Sequence, residues 1–158
     1  MIWAILVYLI TIILANVTVS ISPIMVYVNA LVFIGLDLTL KDKFQISLPW
    51  YKVLGIIFLG SFLTYLLNAA FLPIAIASTA AFSAAFFVDY IVFSLLKHNV
   101  WYRVMVSNIF GSFTDSFVFI YLAPFPFSWG FVLTVTLLKI IGGAISGYIL
   151  IKKGIITQ

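Results

Sequence analysis

Six stretches of the chain, residues 2–20, 23–40, 53–70, 73–96, 102–122 and 129–151, are apolar and of the length a helix needs to cross a bilayer, which is about 20 residues. Together they leave room for short connections only. The breaks between them carry turn chemistry: Ser22-Pro23, the polar stretch from Lys41 to Trp50 with Pro49 in it, Pro73, Lys97-His98-Asn99, then Pro124 and Pro126. Lys152-Lys153-Gly154 ends the last stretch. Charged residues make up 8% of the 158, against about 25% in a soluble domain, so no water-facing surface can be assembled from them. The chain reads as one all-α domain, an integral membrane bundle of six transmembrane helices. The opening segment has no basic start and is too long for a signal-peptide core, so it is expected to be the first span.

With six spans, all the basic clusters fall on one side. Lys41, Lys43 and Lys52 flank one loop, Lys97 and Arg103 another, and Lys152 and Lys153 the C-terminal end. The opposite connections, near Ser22, Phe71 and Phe127, carry no charge. The bias of Lys and Arg toward the cytoplasm therefore puts both termini and the basic loops in the cytoplasm, and the protein is expected to be a multi-pass protein of the cell membrane. The net charge of +4 follows from this loop bias, and no nucleic-acid partner is expected. Trp50, Tyr51, Trp101, Tyr102 and Trp129 fall at span ends, where an aromatic belt would lie. Ala77, Ala81 and Ala85, and Gly143 with Gly147, give small-residue faces suited to close helix packing within the bundle or to docking of a partner.

Polar groups inside spans need a reason, because a charge at the bilayer centre costs at least about 2.5–3.5 kcal/mol. Asp115 is expected about 11 Å, and Lys139 about 15 Å, from the outer ends of consecutive antiparallel helices, so the two can pair. Asp89 lies roughly 10 Å from the inner end of its span, where Arg103 is placed to meet it. Asn108, Ser112 and Asp115 share one helix face at i, i+4 and i+7, bordered by Ser107, Gly111 and Thr114. Asn16 and Asn29 add buried amides in the first two spans, and Asn68 a third near an outer end. Asp37, with Lys41, Asp42 and Lys43, is either a solvated interfacial cluster or part of a charge-pairing or coupling device. Two interpretations cover the deeper groups: ion pairs that fix helix register, or a polar cavity for a solute.

Enzyme chemistry finds little support. Cys and Glu are absent and the lone His98 sits at a turn, so no metal-ligand constellation and no cofactor are expected. No Ser has a His partner within the membrane, and no phosphate-binding loop is present.

The stretch from Ala77 to Ala123 resembles the vitamin uptake, or queuosine precursor transporter, family. The shared features are Asp89-Tyr90-Ile91-Val92-Phe93, the basic turn, Ser107-Asn108, and Asp115-Ser116 followed by Phe117 and Phe119; Gly35 to Phe44 is similar to the family's segment at the inner end of its second span. The chain looks like a compact branch, and Phe86 stands where members often carry Gln or Glu. The resemblance implies uptake of a 7-deazaguanine precursor of queuosine or a related base. A carboxylate can accept the paired N–H donors of a guanine-like edge, which makes Asp89 and Asp115 candidate acceptors, with Asn108, Ser112, Asn29 and Asn16 as further contacts. Phe86, Tyr90 and Phe110 are candidate stacking surfaces. Lys139, Arg103 and Asp37 are assigned to charge pairing or coupling.

The leading expectation is thus a carrier for a deazapurine-like base working by alternating access, with homo-oligomers admitted. An alternative is the substrate-binding membrane subunit of an energy-coupling-factor importer, with the alanine row as its docking surface. A third is a structural or regulatory membrane protein whose buried charges only fix packing.

Overall fold

The computed structural model describes residues 2–97 and 100–152. His98, Asn99, Lys153 and Gly154 lie outside them, as does the side chain of Trp101. Helices follow one another along the chain: α1 (Ile2–Ile21), α2 (Met25–Asn29), a π-helical turn (Ala30–Ile34), α3 (Gly35–Ser47), α4 (Trp50–Leu67), a 3₁₀ turn (Ala69–Phe71), α5 (Leu72–Leu95), α6 (Val100–Leu122) and α7 (Trp129–Lys152). No strand occurs among the described residues. Five segments are long and apolar enough to cross a membrane: Ile2–Ile21, Trp50–Leu67, Ala69–Leu95, Met105–Leu122 and Trp129–Leu150.

Local chemistry sets the boundaries. Pro23 follows the end of α1. Leu48 is extended, as a residue before proline tends to be, and Pro49 starts α4 from an extended conformation. Pro73 sits in the first turn of α5, where its missing N–H costs nothing. Asn68 accepts a hydrogen bond from the Ala70 N–H at 2.9 Å and so starts the 3₁₀ turn. It is exposed, not buried as the sequence suggested, because it serves this cap at the helix end.

The segment after Ser22 departs from the expected layout. In place of an apolar span ending at Leu40 and a polar loop, the backbone stays helical from Met25 through Ser47, interrupted only by the π turn. That is roughly 34 Å at about 1.5 Å per residue. It falls outside the five apolar segments because it carries Asp37, Lys41, Asp42 and Lys43 and contains the π turn. The helix runs through the polar stretch because Lys41, Asp42 and Phe44 are buried against the bundle.

The surface is apolar, and polar groups are gathered in the interior beside an apolar core. Phe58, Phe62, Leu66, Ile76, Leu133 and Leu137 are exposed, whereas Asn16, Asn29, Asp89, Ser112, Asp115 and Lys139 are buried. Such an inversion suits lipid as solvent. Trp50, Tyr51, Tyr102 and Trp129 are exposed at helix ends, as a belt requires. Two apolar clusters fill the bundle. One gathers Tyr8, Ile12, Leu38, Phe44, Ile57 and Phe86; the other gathers Val19, Val26, Ala77, Ile120, Val132 and Val135.

Glycines bring α7 onto the π turn and the start of α3. A Cβ at Gly142 would collide with the Leu31 carbonyl, and one at Gly35 with the backbone of Gly142. Thr39 Oγ1 lies 3.3 Å from the Gly143 carbonyl and stitches the same crossing. Small residues allow this approach where no hydrophobic effect drives helices together. The alanine row is buried inside the chain as well: Ala77, Ala81 and Ala85 are all at or near zero exposure.

Gly142→Ala should lower stability by about 1–3 kcal/mol, because the backbones must separate to admit the methyl group. Gly55→Ala, where nothing lies within 4 Å of the added carbon, should be neutral or stabilising by up to about 1 kcal/mol. Thermal unfolding of the two purified variants in detergent checks the pair. Equal midpoints would contradict the crossing.

Candidate functional site

In the half of the bundle where α1 and α6 end and α5 and α7 begin, a cavity of about 30 Å³ is lined by residues from α1, α2, the π turn, α5, α6 and α7. Asn16 comes from α1, Asn29 from α2, Ser78 from α5, Asp115 from α6 and Lys139 from α7, with Phe82 and Phe119 among the apolar walls. This volume admits a water or two and is far below the roughly 300–1,000 Å³ of a small-molecule pocket.

The wall groups are firmly held. Lys139 Nζ donates to Asp115 Oδ2 at 2.6 Å, the pair expected from the matched depths of the two helices. Both side chains are buried. Asn29 Nδ2 donates to the Ala15 carbonyl at 2.9 Å and to Thr18 Oγ1 at 2.9 Å, tying α2 to α1. Asn16 Nδ2 donates to Thr64 Oγ1 at 3.3 Å, tying α1 to α4.

A second polar group lies toward the end where α3 and α5 finish and α6 begins. Asp89 pairs there with Lys41, not with Arg103. Arg103 instead donates from Nε to the Phe93 carbonyl at 2.9 Å and lies over the Phe93 ring at 3.8 Å. Phe93 is one turn past Asp89, so the guanidinium stops a turn short of the carboxylate. Gly111 makes space for Asp89, since a Cβ there would collide with its carboxylate. Asn108 Nδ2 donates to Asp42 Oδ2 at 2.9 Å. Asp37 is held by the Thr11 hydroxyl of α1. The solvated-cluster reading is therefore incorrect for Asp37, Lys41 and Asp42, all of which are buried because partners on other helices receive them.

The predicted site residues thus divide. Asp115, Asn16, Asn29 and Lys139 meet at the cavity, whereas Asp89 and Asn108 belong to the second group. Ser112 is fully buried between the two, its hydroxyl without a hydrogen-bond partner. Phe86 is buried, whereas Tyr90 and Phe110 are about half exposed on the outer surface, which counts against them as stacking surfaces for an interior solute. Sequence reasoning missed Ser78, Thr11 and Lys41 as an ion-pair partner. Ser78, Phe82, Ala85 and Asp89 do share one face at i, i+4, i+7 and i+11, a pattern that could have drawn Ser78 in.

The family model described as putative vitamin uptake transporter matches residues 1–151. The chain belongs to that family. It is accordingly a multi-pass membrane protein of a transporter family with vitamin-like substrates, and the polar interior just described is the interior of such a transporter. No match was found among curated proteins or solved structures.

Breaking the transporter's Asp115–Lys139 ion pair has a calculable cost. Lys139→Met alone leaves the Asp115 carboxylate buried without its cation and should cost about 3–5 kcal/mol. Adding Asp115→Leu removes the orphaned charge and should restore most of that loss. A double-mutant cycle on thermal midpoints checks it, and simple additivity would contradict the pair.

Proposed function

We propose that the chain is a six-span carrier, both termini cytoplasmic, that imports a queuosine precursor or related 7-deazaguanine base by alternating access. The observation that carries this reading is the buried cavity, where two amides, a serine and an ion pair converge from five helices. A flat heterocycle with donors and acceptors on its edges is the class of solute such a lining suits. Amides donate and accept, a carboxylate accepts paired N–H groups, and Phe82 and Phe119 offer ring faces. Family membership supports the transporter class. The small cavity volume fits a closed conformation that must widen to admit a base.

In this reading Asp115, Asn16 and Asn29 bind the solute in the cavity. Ser112, Asn108 and Asp89 would meet it on the way to the cytoplasmic end, where the free Ser112 hydroxyl and the Asn108 carbonyl oxygen have no partner of their own. The energy-coupling-factor alternative loses its proposed docking surface, because the alanine row faces the interior. Orientation rests on Lys43, Lys52, Lys97 and Lys152, since Lys41 is buried and no longer counts as a loop charge.

Uptake should be rescued by the chain in a strain auxotrophic for the queuosine precursor, tested with several deazaguanines. Asp115→Ala and Asn29→Ala should reduce that rescue to background while the protein still inserts. Normal uptake by both variants would overturn the site assignment. The absence of Cys also permits a direct topology test. A single cysteine at Pro126 should react with an impermeant maleimide in intact cells, and one at Lys97 only after permeabilisation.

A further inference from the structure

All four acidic residues of the chain are buried, and two lysines are buried with them. If every group ionises, the interior holds an excess of two negative charges, a state too costly to leave uncompensated. Asp89 has Lys41 and Asp115 has Lys139. Asp42, nearest the helix end, receives the Asn108 amide. Asp37 is left with a hydroxyl on one oxygen and nothing on the other.

The hydroxyl is ambiguous in a useful way. Thr11 Oγ1 has one proton and two lone pairs. It lies within hydrogen-bonding distance of the Val7 carbonyl at 3.0 Å and the Tyr8 carbonyl at 2.9 Å as well as of Asp37. When Asp37 is ionised, Thr11 must turn its proton to the carboxylate. When Asp37 is protonated, the carboxyl O–H donates to Thr11, and Thr11 donates to its own helix. The second arrangement gives both hydroxyl protons an acceptor and buries no charge.

The groups that face Asp37 do not neutralise it. From α1 comes Tyr8, which is uncharged as a phenol; from α6 comes Asp115, near enough for like charges to interact. On its own helix Lys41 is engaged with Asp89 and Asp42 with Asn108. On α7 Lys139 is engaged with Asp115, and the titratable residues of α4, namely Tyr51, Lys52 and Tyr65, are exposed.

We infer that Asp37 is a proton-carrying site, loaded as a neutral acid beside Thr11 and unloaded toward the cytoplasm, so that one proton is co-transported with the solute. The proton adds to a carboxylate oxygen on the outer side of the cycle and leaves to water on the inner side; no bond of the solute changes. Asp37 is near enough to the cavity's Asp115 for their charges to interact, and it lies one helical turn from Lys41, which pairs with Asp89. Release of its proton there adds a negative charge to a region already rich in carboxylates, which favours rearrangement of those contacts. The inference rests on the carrier reading above.

The test uses the full chain in proteoliposomes, with radiolabelled 7-deazaguanine as probe and the membrane potential clamped. With one pH unit of gradient, acid outside, the wild type should accumulate the probe about tenfold, as one proton per solute requires. A protonophore should abolish this. Asp37→Asn, which mimics the neutral acid and can donate to Thr11, should lose accumulation yet keep counterflow exchange at symmetric pH. Thr11→Val should shift the pH of half-maximal uptake, a readout independent of whether the first variant folds. Gradient-driven accumulation by Asp37→Asn, or an unmoved pH profile in Thr11→Val, would overturn the proton site. A wild type that exchanges the probe but ignores the gradient overturns it too, and leaves the carrier reading standing. A wild type that neither exchanges nor accumulates any deazaguanine overturns both.

Discussion

A bilayer interior offers no water to solvate charge, and this chain carries every one of its acidic side chains inside. The packing of α3 follows from that constraint. Asp37, Lys41 and Asp42 each need a different neighbour, and they find them on α1, α5 and α6 respectively. A helix with three such obligations has little rotational or translational freedom. Replacing these groups by well-packed apolar residues would be no less stable on general grounds, since a buried ion pair seldom gains more than its desolvation costs. Stability alone therefore does not account for their presence.

Backbone contact and charge placement are linked through α7. Gly142 sets the depth at which α7 meets the π turn, and Lys139 lies three residues earlier, just under one turn away. A bulkier residue at the crossing would move the ammonium relative to Asp115. The π turn belongs to the same arrangement: it directs the Leu31 carbonyl against Gly142 directly after Asn29 has bonded the Ala15 carbonyl. Irregular helical turns of this kind recur at functional positions in helices, and here one adjoins the cavity.

What the sequence made legible was whatever depends on neighbours along the chain. Asp115 and Lys139 sit on consecutive helices joined by a short turn, so depth counted from that turn was enough to pair them. The same logic applied to Asp89 and Arg103 failed, because Arg103 is at the start of α6 and reaches only the end of α5, whereas Asp89 lies a turn deeper and meets α3, some fifty residues earlier in the chain. Helix-to-helix contacts between segments that are not consecutive leave no trace in hydropathy or spacing. The second helix illustrates the same limit. Its charges read as a loop when taken alone, and become helix interior only when partners on α1, α5 and α6 are supplied.

The side-chain ties between helices are of two kinds, and their distribution marks a seam. Ion pairs join α3 to α5 and α6 to α7, and the Asp42–Asn108 bond joins α3 to α6. By contrast α1 and α4 carry no acidic residue. They attach through neutral donors: Asn16 to Thr64, the Asn29 amide to Ala15 and Thr18, and the Ser61–Thr79 hydroxyl pair. The cavity lies on this boundary, with Asn16 on the neutral side and Asp115 and Lys139 on the charged side. A neutral hydrogen bond contributes about 1 kcal/mol net, while stranding one member of a buried ion pair costs about 3–5 kcal/mol. Separating helices along the α1–α4 side would therefore cost less than breaking the charged framework of α3, α5, α6 and α7. Among the described residues Asp37 is the carboxylate whose hydrogen bond crosses that seam, through Thr11, so in the proton-carrying reading its charge state would bear on whether the two sides stay together.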